Sequence, residues 1–212
     1  TMRAFTFENA TKIYFGGGCV KEHLLEAVKP YGETVMLAYG GGSIKKNGVY
    51  EEVIAALEKA GKTIIEFPGI MENPTYKKVL EGTKLVKEKQ VDWILAVGGG
   101  SVMDCSKAIS MAAVSEKDVW DEYWAKKGVV DFEPMPLGVI VTASGTGSEC
   151  NGGAVITNEE VMIKTDRDYP KCNPEFALMD PTYTYTVPTK QMVAGSFDIL
   201  SHVMETYFSE PL

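Results

Sequence analysis

Cysteine pairs, positive charge and long apolar runs are what this sequence is short of, and each shortage removes a class of function. The four cysteines, Cys19, Cys105, Cys150 and Cys172, are scattered with no two at C-x-x-C spacing, so neither a zinc cluster nor a dithiol motif is written into them. They read as free thiols in a reducing, cytoplasmic setting, and nothing at the N-terminus reads as a signal peptide. Lysine and arginine number 21 against 29 acidic residues, a net charge of -8. That balance argues against nucleic acid or an anionic membrane as partner and serves solubility. No apolar stretch reaches the roughly 18 residues of a membrane span, and no internal repeat or low-complexity tract occurs. What is present is ordinary for a globular protein, and 212 residues suffice for one large domain, or one domain with part of a second.

The most informative stretch runs from Val91 to Ala112. Val91 to Val97 is almost wholly apolar and rich in strand formers, as in a parallel strand buried on both faces. Val102, Cys105, Ile109 and Ala112 then recur at helical steps. Between them stands Gly98-Gly99-Gly100-Ser101. Glycines let the chain turn and let an anion approach the backbone, Ser101 is placed to cap the helix, and first-turn N–H groups point at the guest. Strand and helix alternate around this junction. Strands are expected at residues 12–15, 34–39 and 62–67, and helices at Leu24 to Val28, Val53 to Ala60 and Tyr76 to Val86, the last capped by Asn73 with Pro74 at its first position. The expected fold is a doubly wound, mostly parallel α/β sheet of the Rossmann-like kind. Such sheets bind ligands at the carboxyl ends of their strands, which marks Gly40 to Ser43 and Gly98 to Ser101.

Beyond it, Val119 to Trp124 reads as a short helix whose Trp120 and Trp124 serve packing. Met135 to Val141 reads as a strand opening into the donor-rich loop Thr142 to Glu149. Residues 154–157 and 161–164 suggest a hairpin, and Phe176 to Met179 a further strand. From Thr189 the apolar residues Val193, Phe197, Leu200, Met204 and Tyr207 mark a helix of about five turns. Asp198, His202 and Glu205 lie together on another of its faces. A carboxylate and an imidazole four apart are either a hydrogen-bonded surface pair or two ligands of a divalent metal, and spacing alone leaves both open.

Gly98-Gly99-Gly100-Ser101-x-x-Asp104, the loop Thr142 to Glu149 and Asp198-x-x-x-His202 together resemble the iron-containing alcohol dehydrogenase family. Tyr39 to Lys46 and Leu178 to Thr186 are similar to its butanol dehydrogenases and broad-specificity aldehyde reductases. The resemblance implies a dinucleotide-binding α/β domain at residues 1–187 and, at 188–212, the first helix of an all-helical metal domain of which the rest would follow. It implies NADP or NAD as cofactor, Fe²⁺ or Zn²⁺ as metal, a small alcohol or aldehyde as substrate and a homo-oligomer, a dimer, in the cytoplasm. Carried over, Gly99, Gly100 and Ser101 would meet the pyrophosphate, with Asp104 in the adjoining helix. Gly41, Gly42, Ser43, Asn73, Thr142, Thr146, Asn151 and Lys164 would be further cofactor contacts. Asp198 and His202 would be two of four metal ligands, and His23, the only other histidine, belongs to the first helix of the nucleotide domain and cannot complete the set. The resemblance also bears on cofactor choice. NAD-preferring members carry an Asp where this chain, aligned through Gly48, has Gly41. With no acid between Thr34 and Tyr50, and Ser43, Lys45 and Lys46 nearby, a ribose 2′-phosphate is expected to be tolerated and favoured.

Overall fold

The structure, a computed structural model, describes Ala4 and residues 6–209. A six-stranded sheet organises it, built from β1 (Lys12–Phe15), β2 (Thr34–Tyr39), β3 (Thr63–Phe67), β4 (Trp93–Gly98), β5 (Leu137–Val141) and β8 (Phe176–Met179). The spatial order is β1-β8-β5-β4-β2-β3, and every pairing in it is parallel. The remaining strands, β6 (Gly153–Asn158) and β7 (Ile163–Asp168), form a separate antiparallel pair.

Alternation along the strands sends side chains to two distinct cores. Val35, Leu37, Trp93, Leu95, Val97 and Leu178 face a layer made by α1 (Cys19–Val28) and α3 (Val49–Lys59). Met36, Ala38, Ile94, Ala96, Val139 and Val141 face α4 (Tyr76–Lys89) and α5 (Gly100–Val114). With both faces covered, β2, β4 and β5 lose nearly all contact with water, hence their unbroken apolar sequences. The hairpin of β6 and β7 closes over α5, where Ala154 and Ile156 join the second core, and Trp120 and Trp124 are buried in the same cluster.

Several local expectations are corrected by backbone geometry. The cap of α4 is Thr75, whose hydroxyl accepts from the Lys78 N–H at 3.2 Å. Asn73 instead adopts a left-handed conformation at φ 53°. Ser101 does not cap α5 but lies inside its first turn, because the helix begins at Gly100 with an extended Gly99 before it. A one-turn helix, α2 (Ser43–Lys46), precedes α3 and was not legible in the spacing. The segment expected as a short helix is a π-type turn, Trp120–Ala125, and β7 starts at Ile163, past the expected Val161.

The last element, α6 (Thr189–Phe208), buries none of its residues. Phe197, Val203, Tyr207 and Phe208 are all more than three-fifths exposed. No helix among the described residues is long and apolar enough to cross a membrane.

Gly138 shows how tightly the sheet is filled. It is the register partner of Phe176, and a Cβ at Gly138 would overlap the Phe176 ring. That ring is itself confined by Tyr31 and Trp93. Gly138→Ala is therefore expected to destabilise the protein by about 1–3 kcal/mol through overpacking, read as a lower urea midpoint with an unchanged slope.

Candidate cofactor cleft and metal-ligating pair

The chain leaves β2 for α3 on one face of the sheet and leaves β4 for α5 on the other. These neighbouring strands release their loops in opposite directions, and the gap between them is where doubly wound sheets hold ligands. A cleft of about 490 Å³ opens there, walled by Gly41, Ser43, Gly99, Gly100, Ser101 and Thr142 among others. The walls come from five separate stretches of chain. Ile70 and Glu72 follow β3, Tyr183 and Thr186 follow β8, and Gln191 and Ala194 belong to α6. None of these six was named from sequence as a site residue, although Tyr183 and Thr186 lie in the Leu178 to Thr186 stretch that carried the resemblance.

At the floor, the N–H groups of Val102 and Met103 both turn to the Gly99 carbonyl. Those of Gly100 and Ser101 have no acceptor within the helix and stand at the positive end of its dipole, an arrangement suited to an anion. Gly100 is required by its neighbour: a Cβ there would sit 2.7 Å from Thr146 Oγ1 and Cγ2. Thr146 thus packs on the start of α5. Gly41 opens onto free space, and Gly42 takes φ 100° to begin α2.

Six expected cofactor contacts lie off the cleft wall: Gly42 and Thr146, just described, and Asn73, Asp104, Asn151 and Lys164, whose side chains are engaged with protein. Asp104 Oδ1 accepts from Ser148 Oγ at 2.7 Å and Oδ2 from the Val155 N–H at 3.0 Å. Burial raises its pKa, against the lowering effect of those bonds and of Lys107. Asn151 Oδ1 accepts from Lys107 Nζ at 3.2 Å and the Gly153 N–H at 2.9 Å. Lys164 Nζ donates to Asn73 Oδ1 at 2.6 Å, joining β7 to the segment before α4.

Lys107 is the residue that sequence reasoning missed. Its side chain is fully buried, and Nζ donates to Ser148 Oγ at 2.8 Å, Gly153 O at 2.8 Å and Asn151 Oδ1. Three protons meet three acceptors, and Ser148 passes the link on to Asp104. The available signal was a lysine in a helix otherwise free of charge from Cys105 to Val114. Such a helix is buried all round, and its one ammonium needs partners.

On α6, His202 Nε2 lies 3.7 Å from Asp198 Oδ2, both half-exposed. Asp198 sits beside the loop that ends the cleft: a Cβ at Gly145 would meet Asp198 Oδ2 at 3.8 Å and the Gly195 Cα at 3.7 Å. The oxygen and nitrogen donors are the right chemistry for a divalent transition metal, and the pair fits as two ligands. No cluster of three or more His, Cys, Asp or Glu that could hold a metal occurs among the described residues. His23 is remote, stacked on Tyr14 at 4.9 Å.

No acid lies between Thr34 and Tyr50 in the sequence, but the fold brings one to Lys45 from elsewhere. β3 carries Glu66 to it, with Lys45 Nζ 3.3 Å from Oε2. Neither Lys45 nor Lys46 is on the cleft wall, although Ser43, Ile44 and Asn47 of the same turn are.

Fold and cleft define the class: a doubly wound α/β protein with a strand–glycine–helix junction lining a cleft at its switch point. The chain belongs to the iron-containing alcohol dehydrogenase family, whose model matches residues 10–181. It is 46% identical over 207 residues to the probable NADH-dependent butanol dehydrogenase 1 of Bacillus subtilis, covering 98% of this chain and 53% of that protein. It is 38% identical to the NADPH-dependent aldehyde reductase YqhD of Escherichia coli, covering 100% of this chain and 54% of that one. The crystal structure of NADH-dependent butanol dehydrogenase A from Thermotoga maritima superposes with a TM-score of 0.91 at 40% identity, over 98% of this chain and 52% of the other. The chain thus spans about half the length of these relatives.

The burial of Lys107 has a measurable consequence. Its pKa is lowered to about 8, chiefly by desolvation, so between that value and the unfolded lysine value near 10.4 the unfolded state binds more protons. Stability attributable to this group therefore rises with pH: its cost is fully present below pH 8 and relieved above it. Relative to Lys107→Met, the wild-type unfolding free energy should gain on the order of 1 kcal/mol from pH 7 to pH 9, measured by urea unfolding at the two pH values.

Proposed function

We propose that this chain forms the dinucleotide-binding part, and supplies two metal ligands, of an enzyme that transfers hydride between NADP(H) or NAD(H) and a small primary alcohol or aldehyde such as butanol or butanal. The observation that carries the reading is the loop from Thr142 to Gly145. Thr142 and Ala143 line the cleft, and Gly145 abuts Asp198, so one short segment adjoins both a dinucleotide site and a metal-ligating pair.

Within this reading, residues 1–187 form the nucleotide domain and 188–212 begin the metal-binding one. Gly99, Gly100 and Ser101 hold the pyrophosphate through backbone N–H groups. Gly41, Gly42 and Ser43 border the adenosine ribose, and Thr142 shapes the opposite wall, with Thr146 behind it against Gly100. Asp104 and Asn151 act by fixing the loop between them, while Asn73 and Lys164 close the rim. Asp198 and His202 donate to Fe²⁺ or Zn²⁺. When bound, the metal polarises a substrate oxygen and the nicotinamide exchanges hydride with the adjoining carbon. The chain's own part is to orient the dinucleotide and to place two donors at the end of the same cleft. The setting is cytoplasmic, in line with four free cysteines, and the assembly a homodimer.

A second reading, a dinucleotide-binding module that catalyses nothing by itself, is favoured for the 212-residue chain by the pairing of only two donors on α6. Two ligands hold a metal weakly. The chain supplied with Fe²⁺ or Zn²⁺ should thus leave butanol unoxidised, and turnover at the rate of a full-length relative would refute this. In the complete enzyme, Asp198→Ala or His202→Ala should remove metal and activity together. Elemental analysis checks it, and full metal stoichiometry in either variant means the ligands lie elsewhere.

Cofactor choice follows from Gly41. Lacking a carboxylate there, the cleft neither bonds the ribose 2′-hydroxyl nor repels a 2′-phosphate. The relatives' names carry both cofactors, NADH for the butanol dehydrogenases and NADPH for the aldehyde reductase. NADPH is expected to bind more tightly than NADH, and Gly41→Asp to reverse the order by about tenfold. Fluorescence titration decides: tighter NADH binding that Gly41→Asp leaves unchanged sinks the argument.

A further inference from the structure

Beside the cleft stands a charged cluster that the reading above does not use. The single turn of α2 presents Ser43, Ile44 and Asn47 to the cleft, so a dinucleotide seated there passes along it. Lys45 belongs to the same turn but points the other way. Its ammonium lies over the rings of Tyr39 and Tyr50, 5.2 and 4.3 Å from their centroids, and 3.3 Å from Glu66 Oε2.

Glu66 is gripped in turn. The Tyr50 hydroxyl donates to Oε1 at 2.6 Å and the Tyr39 hydroxyl donates to Oε2. Tyr39 is buried, and the two rings meet edge to face at 5.9 Å, so the carboxylate has little freedom to swing. Hydrogen bonds from Tyr39 and Tyr50 hold the Glu66 carboxyl below its ordinary range. Tyr39 and the Glu66 carboxylate beside it raise the Lys45 ammonium above its own. The pair is charged throughout the neutral range.

We propose that Glu66 is a specificity-determining residue for the dinucleotide: by drawing Lys45 onto Tyr39 and Tyr50 it keeps that ammonium off the cleft, and so limits the attraction for the 2′-phosphate of NADP(H). The inference rests on the dinucleotide reading of the cleft and deepens it. With glycine at position 41, discrimination passes from a carboxylate beside the ribose to a carboxylate one strand away that governs the nearby cation. Lysine suits this role, being a point charge on a flexible four-carbon stem that reaches the cleft side of α2 once released. A 2′-phosphate would then gain a charge-assisted partner. Because Lys45 and Glu66 are half-exposed, the restraint is modest, and severalfold effects are expected.

The test is titration of NADPH and NADH into wild type, Glu66→Gln, Lys45→Met and the double variant, followed by nicotinamide fluorescence, with 2′,5′-ADP and 5′-AMP as competitors that isolate the phosphate. Glutamine keeps a carbonyl for a tyrosine hydroxyl, and Tyr50→Phe, which loosens the grip on Glu66 while leaving its charge, serves as the milder second variant. Glu66→Gln should tighten NADPH and 2′,5′-ADP about three- to fivefold and leave NADH and 5′-AMP within about twofold. Tyr50→Phe should move the ratio the same way by less, and Lys45→Met should abolish the gain in the double variant. An unmoved NADPH-to-NADH ratio in both Glu66→Gln and Tyr50→Phe, or a gain that survives Lys45→Met, overturns the proposal while leaving the dinucleotide reading intact. Failure of wild type to bind either dinucleotide overturns both.

Discussion

The buried ammonium of Lys107 is the tie on which the cleft depends. It joins three pieces of chain that share no sequence neighbourhood: α5, the loop after β5, and the first residue of β6. Through Ser148 the tie continues to Asp104, and through Asp104 to the backbone of Val155. A charge taken out of water has to be fully hydrogen-bonded or be given up. The loop that supplies its partners is thereby held to one shape, and that loop forms the wall between the glycine junction and α6. Asp104 and Asn151, read from the sequence as cofactor contacts, are part of the network that holds this wall.

The glycines of the site do three different jobs. Gly99 and Gly100 let backbone N–H groups and the Thr142 to Glu149 loop come close to each other. Gly42 turns the chain into α2 in a left-handed conformation. Gly195 lets α6 approach the same loop, since a Cβ there would sit 3.2 Å from the Ser144 carbonyl oxygen. This last approach is where the exposed helix is registered against the sheet, and it lies next to Asp198. Elsewhere α6 presents apolar side chains to solvent, an arrangement that calls for a covering surface.

How far the site was legible depends on the kind of residue. Gly98 to Ser101 announced themselves because a glycine run between a buried strand and a helical period has few other uses. Asp198 and His202 were legible as a pair because helical spacing alone puts them on one face. Lys107 and Glu66 were not, since nothing in a local window says that a lysine will be swallowed or that an acid on β3 will reach a lysine on α2. For the same reason the partner of Lys45 stayed hidden: its sequence neighbourhood is free of acids, but its spatial neighbourhood is not. Asn73 was taken for a helix cap on its residue type, while the neighbouring Thr75 has the extended backbone and free hydroxyl that capping requires.

By itself the sequence determined the alternation of strands and helices, the parallel sheet buried on both faces, and the position of the glycine junction. Each follows from short-range periodicity and backbone freedom, which a window of ten or fifteen residues contains in full. Only the tertiary structure decided the strand order that places β2 beside β4 and opens the cleft, the partners that hold Lys107, and the pairing of Lys45 with Glu66. These depend on which distant segments meet, and meeting is settled by the packing of two cores and by the need of every buried polar group for a partner.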